Sequence, residues 1–145
     1  MNEIPAGLVV HHPYHRTVEQ SDNIFATMAA LNTAQAHFNL PGALAHLDGT
    51  FPERLVVGSA VLAIATGLSY TGWPGVVVDR ELGLTGLRFP SATFPGDTLT
   101  AQSTVIAAAP DGDGGVLIDS LLEMENDKGG KVLEARRRLR LVPWP

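Results

Sequence analysis

Hydrophobic and polar residues alternate with one rhythm after Pro74 and another before it. Downstream the period is two. Thr98–Ala109, Val116–Glu125 and Lys131–Val142 read as strands rich in Thr and Val. Leu82–Phe89 reads as another strand, after a brief extended piece at Val76–Val78. Pro90–Pro95 marks a bend, Gly96-Asp97 a turn, and Pro110–Gly115 a loop. Asn126–Gly130 is a hairpin turn. The last two strands check each other. Val116, Ile118, Leu122 and Met124 share one face with Leu133, Ala135, Leu139 and Leu141, which predicts a core face. The opposite face sets Asp119, Glu123 and Glu125 against Glu134, Arg136, Arg138 and Arg140, a modestly stabilising arrangement. Arg137 falls on the apolar face. It pairs with a buried acid, snorkels to an edge, or reaches a ligand; the pattern alone does not choose.

Upstream the organising stretch is Gly58–Gly72, which holds no charged residue. A helix apolar on every side is expected to be buried on every side. It falls short of the roughly 20 apolar residues needed to cross a bilayer. Before it, a short strand near Gly7–Val10 is bracketed by Pro5 and Pro13. Ser21 or Asp22 would cap a helix over Asn23–Leu31, with Ile24, Met28 and Leu31 at helical spacing. Asn32–Asn39 reads as a loop carrying His37. Leu40–Arg54, with Pro41, Gly42, Gly49 and Pro52, is the most irregular part, with one helical turn at Ala43–His46. Leu55–Val57 leads in extended form to the central helix. One strand, one apolar helix and four antiparallel strands make an α+β chain. The expected architecture is a single hot-dog domain over residues 1–145. About five antiparallel strands wrap around the central helix Gly58–Gly72.

Composition narrows the function. The chain has 145 residues, 45% hydrophobic, enough for one cored domain. Its net charge of −5 argues against nucleic acid, and the absence of Cys removes disulfide, thiolate and cysteine-zinc chemistry. No basic n-region precedes an apolar stretch near Met1, so a cytoplasmic, membrane-free protein is expected. Five histidines, three of them in His11-His12-Pro-Tyr-His15, raise a metal site. No carboxylate stands at ligand spacing and no H-E-x-x-H occurs, so none is expected. Gly112–Gly115 opens no helix and lacks a Lys-Ser/Thr pair, and so reads as a hairpin loop. Arg136–Arg138 could meet phosphates, but pairing with acids across the hairpin explains them first.

Four stretches carry a resemblance: Arg16–Asn23, Leu31–His37, Val57-Gly-Ser59 and Arg88–Leu99. The chain resembles the MaoC-like, R-specific enoyl-CoA hydratases of the hot-dog fold. It is most similar to the branch acting on mesaconyl-CoA, itaconyl-CoA and related branched or carboxylated thioesters. The general pattern has an Asp five positions before the His, with Asn-Pro between. Here Asn32 takes the Asp position, as in that branch, and Ala34-Gln35 replace Asn-Pro.

Hydrating an α,β-unsaturated thioester needs a base for water, a donor for the enolate oxygen and a proton for the α-carbon. A histidine suits the proton steps, and the resemblance makes His37 the catalytic residue rather than an ordinary loop histidine. Asn32 does not titrate near neutrality. It would orient water or the imidazole, or serve as a helix C-cap. Asp22 is either an N-cap or a replacement acid. At the start of the central helix, unpaired N–H groups suit a thioester oxygen that gains charge. The resemblance puts the carbonyl-polarising amide at Gly58, beside Ser59, although a glycine there also allows close packing. Thr66 matches the family serine that positions water, or else bonds its own helix backbone. The expectation is reversible enoyl-CoA hydration, with CoA part of the substrate and no cofactor. A hot-dog acyl-CoA thioesterase and a non-catalytic acyl-thioester-binding subunit are the rivals. A homodimer or higher assembly is expected, because a lone hot-dog leaves a sheet edge and a helix flank open.

Overall fold

The computed structural model describes residues 4–144. Five strands form one antiparallel sheet: β1 (Val9–Thr17), β2 (Val76–Arg88), β3 (Thr98–Pro110), β4 (Val116–Asn126) and β5 (Lys131–Pro143). Their order across the sheet is β1-β3-β4-β5-β2. Four α-helices lie before β2: α1 (Gln20–Ala29), α2 (Gln35–Phe38), α3 (Leu40–Ala45) and α4 (Gly58–Leu68), with a 3-10 turn at His46–Gly49. The central helix ends at Leu68 rather than Gly72. Ser69 closes it, donating its N–H to Ala65 O while Tyr70 N–H donates to Gly67 O, and the Ser69 carbonyl accepts from Trp73 Nε1 at 3.0 Å.

β1 extends well past the expected Gly7–Val10 and runs through Pro13. Its register against β3 shifts between His11 and His15. A proline has no N–H for the ladder, and an edge strand with a bulge tolerates that. Behind it Gly72 has φ +91°, and a Cβ there would meet the Pro13 ring at 2.9 Å. Glycine is required at that close approach. β2 merges the two expected pieces, Val76–Val78 and Leu82–Phe89, into one strand with three register shifts against β5.

The β4–β5 hairpin keeps the expected faces. Ile118, Leu122, Met124, Leu133, Ala135, Leu139 and Leu141 are all buried. On the outer face Asp119 stands opposite Arg138, as expected. Glu123 stands opposite Glu134 instead of a base, and Lys131 bonds both carboxylates. That cation offsets the like-charge pair.

The inner face holds two apolar clusters. One joins Val56, Val57, Ala60, Val61 and Ala65 to Leu99, Leu122, Met124 and Leu133 beneath α4. The other gathers Val10, Trp73, Val105, Ile118, Leu139 and Leu141. Buried polar residues His12, Ser69, Ser103, Ser120 and Arg137 accompany them. Arg137 finds a carboxylate: its Nε lies 2.7 Å from Glu81 Oε2, and Nη1 donates to Ser69 Oγ. Its guanidinium also sits over the Tyr70 ring, 5.4 Å from the centroid. Of the three outcomes open to Arg137 it takes a carboxylate, one that is half-buried rather than buried.

The central helix is not covered all round. Ala60, Val61 and Ala65 face the sheet, whereas Ser59, Ala63 and Gly67 are exposed along one row. The first helix departs further from expectation. It starts three residues before Asn23, and its N-cap is Glu19 rather than Ser21 or Asp22. Asp22 sits one turn in and accepts from the Glu19 N–H at 2.9 Å. Its buried residues are Asn23 and Thr27, while Phe25 is 75% exposed, Met28 71% and Leu31 86%. The apolar face that was expected to pack inward points out.

Candidate active site

His37 is placed by a short helix in the stretch expected to be loop. Ala34 starts α2 without a side-chain cap, and His37 falls in its last turn. The segment is tied to the lead-in of α4: Leu55 N–H donates to Ala36 O at 2.9 Å, and Arg54 Nε donates to Phe38 O at 3.0 Å. The His37 ring is half-buried, and its Nδ1 lies 2.9 Å from the Leu55 carbonyl oxygen. A carbonyl only accepts, so Nδ1 carries the proton and Nε2 is left with its lone pair. That is the tautomer a base needs.

Leu55 stands three residues before Gly58, so the carbonyl that fixes the imidazole leads directly into α4. The N-cap Val57 offers no side-chain cap. The Val57 N–H is taken by Asn23, and Ala60 and Val61 N–H donate back to Val57 O. The first-turn amides of Gly58 and Ser59 are thus the ones free for a ligand. The Phe89 ring lies against Gly58: a Cβ there would come within 2.9 Å of two ring carbons. Gly58 therefore serves close packing as well as leaving an amide free.

The remaining expected residues are distributed unevenly. Asn32 does not hold the imidazole. Its Oδ1 accepts from Ala34 N–H at 2.8 Å, and the Leu55 carbonyl does the orienting instead. Asn32 is not the left-handed residue ending the helix either. Leu31 is, at φ 49°. Asn32 instead lines a hollow of about 610 Å³ with Ile24, Thr27, Met28, Leu31, Thr33, Phe38 and Arg54. Ser59 lines a second hollow of about 460 Å³, mostly apolar, with Phe25, Ala63, Ile64 and Leu68. α1 contributes to both. Thr66 Oγ1 donates to Leu62 and Ala63 carbonyls of its own helix, at 3.1 and 3.0 Å. Asp22 is bonded by the Glu19 N–H and by Arg16, which hold its carboxyl below the usual carboxylate range. A group held ionised is a poor proton donor, so the capping role is the one its surroundings serve. Among the described residues no cluster of three His, Cys, Asp or Glu is arranged to hold a metal.

Asn23 was not singled out by the sequence. It is 0% exposed, and its side chain makes three hydrogen bonds. The signal available was a polar residue at helical spacing with Thr27, overshadowed by the larger apolar residues beside it.

No protein-family profile matches the chain. Two curated proteins are related in sequence. Beta-methylmalyl-CoA dehydratase of Chloroflexus aurantiacus is 28% identical over 106 residues, 73% of this chain and 29% of that protein. Mesaconyl-CoA hydratase of Cereibacter sphaeroides is 33% identical over 110 residues, 76% of this chain and 30% of that protein. The chain thus spans about three-tenths of the length of these relatives. Among solved structures, a MaoC-like dehydratase from Rhodospirillum rubrum superposes with a TM-score of 0.77 at 21% identity, covering 98% of this chain and 95% of that one. The sheet, its central helix and these likenesses define a hot-dog fold, similar to that of MaoC-like dehydratases. In sequence the matched stretch is similar to the mesaconyl-CoA hydratase and the beta-methylmalyl-CoA dehydratase named above.

Proposed function

We propose that this chain catalyses the reversible hydration of an α,β-unsaturated acyl-CoA of the branched or carboxylated kind. The observation that carries the reading is the His37 ring, fixed with Nδ1–H on the Leu55 carbonyl and Nε2 free, that carbonyl standing three residues before the open amides of α4. The names of the two sequence relatives support the substrate class. In the forward direction Nε2 takes a proton from water, and the hydroxide oxygen bonds the β-carbon. The π electrons move to the thioester oxygen, where the Gly58 N–H donates to the enolate. The imidazolium then returns its proton to the α-carbon. Asn32, with its amide NH₂ unspent, orients the water or the acyl group in the adjoining hollow. Ser59 lines the acyl path, while Thr66 keeps its hydroxyl on its own helix. The step is redox-neutral and calls for no cofactor beyond the CoA of the substrate.

The exposed row of α4, the outward Phe25 and Met28, and the two unpaired sheet edges of β1 and β2 support assembly with a second copy. The test of function is one assay on crotonyl-, mesaconyl- and itaconyl-CoA, following enoyl absorbance and free thiol together. Loss of enoyl absorbance without thiol release is the expected result. Thiol release would identify a thioesterase, and neither change would identify a binding subunit.

A further inference from the structure

Helix α1 turns an asparagine into the interior while leaving Phe25 and Met28 outside. An amide buried this deeply costs stability unless every partner is met. Asn23 meets three, one on α2 and two on the lead-in to α4. Its Nδ2 donates to His37 O at 2.9 Å and to Leu55 O at 3.1 Å, and its Oδ1 accepts from Val57 N–H at 3.0 Å. The orientation is unambiguous, because two acceptors and one donor face the amide. The Leu55 oxygen is the same atom that receives Nδ1–H of His37, so its two lone pairs hold the asparagine and the imidazole. Val57 immediately precedes the Gly58 amide. One side chain thereby links the backbone of His37, the acceptor that sets the ring's tautomer, and the first residue before α4. Thr27, the other buried residue of α1, bonds the carbonyls of Asn23 and Ile24 and steadies this turn of the helix.

We infer that Asn23 is a positioning residue that fixes the His37 base relative to the α4 amides. The inference rests on the hydratase reading for its kinetic consequence, but not for its geometry. Removing the two donors frees the Leu55 carbonyl to tilt and lets the His37 backbone drift. A small misplacement of a base costs up to about a hundredfold in rate.

The experiment combines kinetics with nitrogen-15 NMR of the histidine rings in the full chain. In wild type the His37 ring is expected as the Nδ1–H tautomer, and the Asn23 amide protons should exchange slowly with water. On whichever enoyl-CoA proves to be hydrated, Asn23→Ala should lower kcat by about ten- to a hundredfold, with KM within about twofold. Added to His37→Ala it should cost less than about twofold more, because its effect runs through that ring. A folded Asn23→Ala protein with wild-type kcat would overturn the inference, as would losses that multiply in the double variant. Should Asn23→Ala fail to fold, Asn23→Asp keeps the size and the acceptor for Val57 while removing both donors. It carries the same kinetic expectation. Should neither fold, the wild-type spectrum decides: an Nε2–H ring at His37 or fast-exchanging Asn23 amide protons would refute the role. An inactive wild type with the expected spectrum would defeat the hydratase reading and leave the positioning geometry standing.

Discussion

At the scale of single residues, the site is governed by which hydrogen bonds are already spent. Asn32 spends one acceptor on Ala34 and is half-buried. Asn32→Asp keeps that acceptor, so the fold should survive, and a carboxylate beside the hollow can share the proton steps. We expect hydratase activity on simple enoyl-CoA substrates to be preserved or raised, read by the loss of enoyl absorbance. A stable but inactive variant would show that the amide NH₂ is needed. His12 gives a second test, on stability. Its Nδ1–H donates to Thr71 O at 2.6 Å, and its Nε2 pairs with Ser103 Oγ at 2.9 Å. Burial lowers its pKa below the ordinary value, and the charges of Arg137 and His11 act in the same direction against the Thr71 bond. A base whose folded pKa is depressed stays neutral in the fold while the unfolded chain takes up the proton. The stabilisation is therefore full above about pH 6.5 and lost as the pH falls below it. Urea midpoints measured from pH 8 down to pH 5 should fall for wild type and fall less for His12→Gln.

Elements show where the sequence was legible and where it was not. The β4–β5 hairpin could be read to within a residue, because a period of two commits a whole strand to one face. Its turn residues fixed the register. Helix α1 could not be read the same way. Ile24, Met28 and Leu31 formed the obvious apolar face, yet the chain buries Asn23 and Thr27. The reason lies in the segments opposite. His37 O lies at the end of the one-turn helix α2, and Leu55 O and Val57 N–H lie in the extended lead-in to α4; none has a ladder partner, and such groups must be satisfied once buried. A polar side chain does that and leucine does not. No local pattern reports a requirement set by residues fourteen to thirty-four positions away. Arg137 was visible as an anomaly on a core face, but its partner lay on a strand 56 positions distant. That pair predicts its own cost. Glu81→Ala leaves a fully buried guanidinium without its counter-charge and should destabilise by about 3 kcal/mol or more. The exposed Arg138–Asp119 pair, 3.7 Å apart, should be worth less than about 1 kcal/mol. Chemical denaturation of Glu81→Ala beside Asp119→Ala compares them directly.

At the scale of the whole molecule, the sheet supplies a platform and the helices before β2 carry the candidate site residues. α4 lays one face on the sheet and leaves another open, and α1 presents Phe25 and Met28 outward. These surfaces and the hollows beside them account for the inversion of α1 if a second chain covers them. Light scattering should therefore give at least twice the chain mass of 15.4 kDa, and a monodisperse monomer at micromolar concentration would count against it. Among the described residues no helix is long and apolar enough to cross a membrane.

The central claim is that His37 is the base, and the pH profile of kcat/KM tests it most directly. In wild type the profile should fall on the acid side as the imidazole takes up a proton and loses its free Nε2. His37→Ala should lower kcat by about 10² to 10⁴ with KM little changed, and the acid limb should disappear with it. Stability should scarcely move, since the ring is half-buried and makes a single hydrogen bond. An alanine variant that unfolds readily yet keeps its specific activity and its acid limb would contradict the assignment. His37 would then be a structural histidine.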